Sequence, residues 1–210
     1  MTKIILVRHC QAEGNLKRFF QGKIDSDITQ LGSKQIAQTA ELLSNEPIDV
    51  IYSSPKKRAR LSAEGINIYH EVEIKIDDRI VEIDAGKWEG IPLVEIEKIY
   101  PEQFFNWRNN PAKFSAPDGE SMVEVYNRVK PALLSIASDN KDKTVCIVSH
   151  GCAIKNMMCF AHGWGIENIK EVPLGTNMSV NVLTFDDNLE PTIIIENYTD
   201  HLQEGFSLNY

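Results

Sequence analysis

The sequence predicts an α/β fold: a three-layer sandwich with a mostly parallel central sheet, helices on both faces and a small helical cap insertion. Three observations predict it. The runs Ile4-Ile5-Leu6-Val7-Arg8-His9-Cys10 and Thr144-Val145-Cys146-Ile147-Val148-Ser149-His150-Gly151 are continuous apolar stretches rich in β-branched residues, the pattern of strands buried on both faces. Strand-like runs then alternate with helix-period stretches, the order of βαβ units. Finally, each of the two runs closes on a histidine. Parallel pairing would deliver both imidazoles to the carboxyl edge of the sheet, where open α/β sheets bind their ligands.

The elements follow in order. The first strand begins at about residue 3 and runs into a loop holding Gly14 and Asn15. Thr29 can cap a helix through Ser44, with Ile36, Ala40 and Leu43 on one apolar stripe. Asp49 to Tyr52 reads as a second strand, stopped by Ser53-Ser54-Pro55. Pro55 suits the first turn of a helix carrying Arg58, Ala59, Ser62 and Ala63. Val72 to Ile76 is a short strand. Residues 85–118 hold Trp88, Phe104, Phe105 and Trp107 among prolines and polar residues, and read as a helical cap over the sheet edge. Gly119 to Ser138 is helical, the strand at Thr144 follows, and a helix begins near Cys152. Val180 to Phe185 and Thr192 to Tyr198 form closing strands, read as a hairpin. No repeat, low-complexity tract or Pro/Gly/Ser linker divides the chain. Residues 1–210 are therefore expected to be one domain with a cap-like insertion at about 85–118.

Bulk properties exclude several function classes. The 210 residues are 42% hydrophobic and 25% charged, ordinary globular composition, with a formal net charge of −8. That charge argues against nucleic acid or an acidic membrane surface as partner, since both need a basic field. Affinity for an anion must come from a few placed cations. No apolar run reaches the ~18 residues of a membrane span, and no secretory leader pattern opens the chain. Cys10, Cys146, Cys152 and Cys159 lack a regular spacing, which points to reduced thiols and a cytoplasmic location. The assembly is left open, with a homodimer as the expectation to test by size in solution.

Four strand-end positions carry the chemistry. Arg8 and His9 end the first strand, Arg58 lies just after the second, and His150 precedes a helix start whose Gly151 amide can face an anion. Arg8 and Arg58 can fork onto phosphate oxygens, and Asn15 and Gln21 can add neutral donors. A tetrahedral dianion suits such a cradle better than a carboxylate, because it accepts from all sides. A neutral imidazole is a competent nucleophile toward phosphorus, and nearby arginines both spread the phosphoryl charge and keep the ring unprotonated. The leaving oxygen then needs a proton, and Glu82, set between apolar neighbours after a strand, is the candidate acid. His201, in Thr199-Asp200-His201-Leu202, is expected to fold back over the pocket. Cys10 and Cys152 read as buried small hydrophobes. Five scattered histidines do not supply the paired ligands of a metallophosphoesterase, so no metal and no cofactor is expected.

These residues fall into a pattern that resembles the histidine phosphatase superfamily, also called the phosphoglycerate mutase-like family. Its opening motif, Leu-Val-Arg-His-Gly-x-Thr-x-x-Asn, appears as Leu6-Val7-Arg8-His9-Cys10-Gln11-Ala12-Glu13-Gly14-Asn15. Its Ser-Ser-Pro-Leu-x-Arg-Ala segment appears as Ser53-Ser54-Pro55-Lys56-Lys57-Arg58-Ala59, and its acid-bearing segment as Glu82-Ile83-Asp84-Ala85-Gly86-Lys87-Trp88-Glu89-Gly90. Gln21-Gly22, Leu31-Gly32, Gly119-Glu120-Ser121 and Val148-Ser149-His150-Gly151 are further landmarks in family order. The resemblance covers nearly the whole chain. Cys10, Ala12, Lys56 and Ala85 depart from it, and none of them deletes a catalytic role.

The resemblance implies a phosphohistidine mechanism without a metal. His9 would attack phosphorus, Glu82 would protonate the leaving oxygen and later deprotonate water, and Arg8, Arg58 and His150 would hold the phosphoryl oxygens with Asn15 assisting. The compact segment Leu16 to Gly22 favours a phosphatase acting on a small phosphorylated metabolite over a phosphoglycerate mutase, and the helix around Arg128 leans toward phosphoserine phosphatases. A non-catalytic phosphate-ligand binding protein is the alternative from a different class.

Overall fold

The structure, a computed structural model, describes residues 1–202. Its centre is a six-stranded sheet built from β1 (Thr2–Arg8), β2 (Val50–Ser53), β3 (Ile74–Ile76), β4 (Thr144–Ser149), β5 (Val180–Phe185) and β6 (Pro191–Tyr198). The strand order is β3-β2-β4-β1-β5-β6. β1, β2, β3 and β4 pair in parallel, whereas β5 runs antiparallel to both β1 and β6, so the closing pair is the expected hairpin.

The helices are α1 (Glu13–Leu16), α2 (Gln30–Leu43), α3 (Lys57–Asn67), α4 (Leu93–Ile99), α5 (Pro101–Asn109), α6 (Met122–Asp139) and α7 (Gly151–Ala161). Alternation along the buried strands sends side chains to two separate cores. Ile4, Leu6, Val145 and Ile147 pack beneath α6 and α7, while Ile5, Val7, Cys146 and Val148 face α2 and α3. That is the three-layer arrangement the sequence predicts.

Local chemistry moved several boundaries. β3 starts at Ile74 rather than Val72, because the Asn67 side chain accepts from the Val72 amide and donates to its carbonyl, at 2.9 Å each. α6 starts at Met122 rather than Gly119: the Ser121 hydroxyl and the Glu124 carboxylate cap each other's backbone amides, a capping box that fixes the first turn. Pro55 stays outside α3, whose first amide, on Lys57, donates to Asp25 Oδ1 at 2.6 Å.

Between β3 and α6 the chain crosses the carboxyl edge of the sheet. α4 and α5 stand there over a cluster of aromatic rings. Trp88 is fully buried, with ring centroids 5.5 Å from Phe20 and 4.9 Å from Phe114; Trp107 lies 5.0 Å from Phe20. Edge-on contacts of this kind add about 0.5–1.5 kcal/mol each beyond their burial. They lock α5 to the loop that follows β1. The segment 84–86 threads closely past residues 117–119: a Cβ on Gly119 would collide with the Asp84 carbonyl, and Gly86 itself has φ +51.

Candidate active site

The register of the central strands explains the site. Arg8 pairs with Ser149, so the next residues, His9 and His150, leave the sheet side by side, with ring centroids 5.0 Å apart. Ser53 pairs with Val148, which brings Ser54 Oγ to 2.7 Å from His150 Nε2. Two strand ends separated by about 140 residues in the sequence are thus neighbours through one hydrogen-bonded ladder.

His9 is held from every side. Its amide donates to the Ser149 carbonyl at 2.9 Å, and its carbonyl accepts from Asn177 Nδ2 at 2.9 Å. Ring atom Nδ1 lies 2.6 Å from the Cys10 carbonyl. A carbonyl can only accept, so Nδ1 carries the proton and Nε2 keeps its lone pair. Arg58 Nε donates to that Nε2 at 3.3 Å. Burial, then the charges of Arg58 and Arg8, push the His9 pKa well below the ordinary histidine value. His150 is pushed down in the same way, by burial first and then by Arg58, His9 and the other arginines. Both rings are therefore neutral at pH 7. His150 Nδ1 is buried and has no hydrogen-bond partner among the described residues.

The arginines differ in their commitments. Arg58 is fully buried, and Nη1 and Nη2 donate to the carbonyls of Ile24 and Gly22 at 2.8 and 3.0 Å. With the bond to His9, three of its five N–H donors are engaged, so two hydrogens rather than an idle fork remain for a ligand. Arg58 also braces the chain just after His9: its carbonyl accepts from Ser62 Oγ, which in turn accepts from the Cys10 amide at 2.9 Å. Arg8 Nη1 donates to the Gly175 carbonyl.

Glu82 is half-buried on the same cavity wall as Arg8, His9 and Arg58. Its Oε1 accepts from the Cys152 amide at 3.1 Å, in the first turn of α7, and from the Ile83 amide at 3.0 Å. These two amides fix the orientation of the carboxyl group. Behind Glu82 stands Arg128, which the sequence reading left without a role. From α6, it grips Glu120 with Nε and Nη2 at 2.8 and 2.9 Å and donates to the carbonyls of Arg79, Val81 and Glu82 at 2.9–3.1 Å. Glu120 in turn accepts from the Asp84 amide at 2.8 Å. An arginine eight residues after a glutamate was the only signal available. It could not say that their joint target is the backbone of another segment.

Other candidates are placed as follows. Asn15, Gln21 and Gly151 line the cavity, and Asn15 Oδ1 accepts from the Ala12 amide at 3.0 Å. His201 does not reach it. Its Nε2 lies 2.9 Å from Thr39 Oγ1 on α2 and its ring stacks on Tyr198, so the expectation of a residue folded over the pocket is corrected. The Tyr198 ring and the buried Thr39 hydroxyl hold it behind the site instead. Cys10 and Cys152 are buried; burial pushes the Cys10 thiol up to about 11 and, together with Glu82, raises Cys152 well above its ordinary value. Cys10 does not have a positive φ, so the side chain that replaces the family's glycine costs no backbone strain. Among the described residues, no group of three His, Cys, Asp or Glu side chains is placed to hold a metal ion, and no helix is long and apolar enough to cross a membrane. Of the cations lining the cavity, Arg58 and Arg8 are the ones whose charge acts on His9.

The cavity these groups face has a volume of about 860 Å³ and is walled on its outer side by the 17–22 loop, α4 and α5. Comparison with known proteins places this geometry. The chain is 38% identical to phosphoserine phosphatase 1 of Hydrogenobacter thermophilus over 98% of its own length and 97% of that protein. Its fold superposes with a TM-score of 0.92 on the structure of Bacillus stearothermophilus YhfR, at 27% identity, covering 97% of this chain and all of that one. It matches a phosphoserine phosphatase from Entamoeba histolytica, solved with 3-phosphoglyceric acid, with a TM-score of 0.83 at 28% identity over 97% of this chain and all of that one. A family model matches residues 4–194, and the chain belongs to the histidine phosphatase superfamily, branch 1.

Proposed function

We propose that the protein hydrolyses a small-molecule phosphate monoester through a phosphohistidine on His9, without a metal ion. The observation that carries the reading is the state of His9: a buried, neutral ring whose Nδ1 proton is tied to the Cys10 carbonyl, so that Nε2, held only by a long 3.3 Å bond from Arg58 Nε, carries the nucleophilic lone pair.

In the first step Nε2 forms a bond to phosphorus while the ester P–O bond breaks. The leaving oxygen takes the proton of the Glu82 carboxyl group. Arg8 and Arg58 line the cavity beside His9, with the buried His150 ring 5.0 Å from His9, and their charge stabilises the transferring group. In the second step Glu82, now a carboxylate, takes a proton from water as the water attacks phosphorus. The P–N bond breaks, inorganic phosphate leaves, and His9 and protonated Glu82 are restored. The substrate class is a phosphorylated metabolite; the names of the relatives, phosphoserine phosphatase above all, make phosphoserine the first compound to test.

Hydrolysis of a phosphate monoester panel in EDTA, beside His9→Ala, tests this reading. Turnover by the wild type, lost in the variant, together with a phosphohistidine trapped on acid-free quenching, is expected. Turnover that survives His9→Ala, or that needs added metal, would overturn it.

A further inference from the structure

Arg58 takes its aim from a short loop. Among the described residues its side chain has no ion pair. Nη1 and Nη2 donate to the carbonyls of Ile24 and Gly22 at 2.8 and 3.0 Å, and Nε donates to His9 Nε2 at 3.3 Å. The two carbonyls flank a single residue, Lys23, whose backbone amide donates to Glu89 Oε1 at 2.7 Å. A peptide unit is planar, so the Gly22 carbonyl and the Lys23 N–H leave one rigid plate in opposite directions. Arg58 grips one side of that plate and Glu89 the other.

The approach is close. Gly22 lies in the left-handed region at φ +48, the Ile24 amide closes the turn onto the Gln21 carbonyl at 2.8 Å, and a Cβ on Gly22 would stand 2.3 Å from Glu89 Oε1. Glu89 is half-buried on a fixed base. It follows the fully buried Trp88, its amide donates to the Gly86 carbonyl at 3.2 Å, and the Gly90 amide donates to the Phe20 carbonyl at 2.9 Å. A guanidinium is a planar fork, so acceptors that shift under its Nη atoms turn its Nε with them.

We infer that Glu89 is a positioning residue for phosphoryl transfer: it holds the Lys23 amide, and through it the two carbonyls that orient Arg58 beside His9. This rests on the phosphatase reading above. Glu89 acts as an acceptor at a set distance rather than as a charge. The loop keeps two other ties, Lys23 Nζ to Asp84 and the Lys57 amide to Asp25 Oδ1. Loss of Glu89 should therefore cost less than the roughly hundredfold of a group displaced by about 1 Å.

Steady-state kcat/KM for para-nitrophenyl phosphate, at a temperature well below every variant's Tm, tests it in Glu89→Ala, Glu89→Gln and Glu89→Asp. Glutamine keeps an acceptor oxygen in reach without the charge; aspartate keeps the charge but is one methylene short. Glu89→Ala is expected to lose about tenfold, Glu89→Asp about fivefold and Glu89→Gln less than about twofold. In an Arg58→Ala background, assayed at high enzyme concentration, Glu89→Ala should cost less than about twofold, because the group it positions is gone. Full activity in Glu89→Ala, an equal loss in both backgrounds, or a Glu89→Gln as slow as Glu89→Asp overturns the assignment while leaving the phosphatase reading intact. If Glu89→Ala does not fold, the comparison of glutamine with aspartate decides. A wild type that hydrolyses neither this ester nor phosphoserine refutes the phosphatase reading, and the assignment with it.

Discussion

Replacing Arg128 by methionine is a severe test of how Glu82, the proposed acid, is held. The side chain would keep much of its volume in α6 but lose two charge-assisted bonds to Glu120 and three to the carbonyls of residues 79, 81 and 82. Breaking a fully buried ion pair costs about 3–5 kcal/mol. Here the partners are 21% and 24% exposed, so solvent screening reduces that contribution to about 2 kcal/mol. The three carbonyls, partly replaced by water, add about 1 kcal/mol together. A total near 3 kcal/mol lowers Tm by about 6–12 °C in a chain of this size.

The functional consequence is more specific. The lost clamp frees the 79–84 segment, and a displacement of about 1 Å at a reacting group costs about a hundredfold. The loss should depend on the leaving group. In Arg128→Met, kcat/KM for phosphoserine should fall about 30- to 100-fold, because in the proposed mechanism its alkoxide takes a proton from Glu82. For para-nitrophenyl phosphate, whose phenolate leaves without one, the fall should stay within about fivefold. The assay is steady-state kcat/KM for both esters at a temperature well below the variant's Tm, with Arg128→Lys as the partial rescue. Equal losses on both esters would refute the reasoning and leave Arg128 a structural residue only.

Two further predictions follow from the same geometry. Both buried imidazoles have pKa values depressed below the unfolded value of about 6.5. Below that pH the unfolded chain takes up protons that the folded one refuses, so stability should fall as the pH drops from about 6.5 toward the folded values, and Tm measured from pH 7.5 to 5 should decline. A His9 ring resonance titrating near 6.5 would contradict it. Because His201 bonds Thr39 behind the site, His201→Ala should leave kcat/KM within about twofold while lowering Tm by a few degrees; a tenfold loss of activity without a change in Tm would return it to the cavity.

The sequence by itself determined the strands, the mostly parallel character of their sheet and the residues at their ends. Those signals are local: a buried strand must be apolar throughout, and a polar residue closing such a run must sit at a sheet edge, as Arg8, His9 and His150 do. Motif order then tied Arg58 and Glu82 to the same edge. Boundaries governed by side-chain bonds to the backbone, such as Asn67 shortening β3, were less legible, because apolar pattern does not record which amide a side chain will take. Tertiary structure alone decided the rest. Only the register of β1 against β4 sets the two imidazoles 5.0 Å apart, and only the packing of α6 against the 79–84 segment gives Arg128 its carbonyls. His201 went to Thr39, and Glu89 to the Lys23 amide, for the same reason. A charged side chain's partner is fixed by which backbones the cores bring together, and that information is spread over the whole chain rather than written beside the residue.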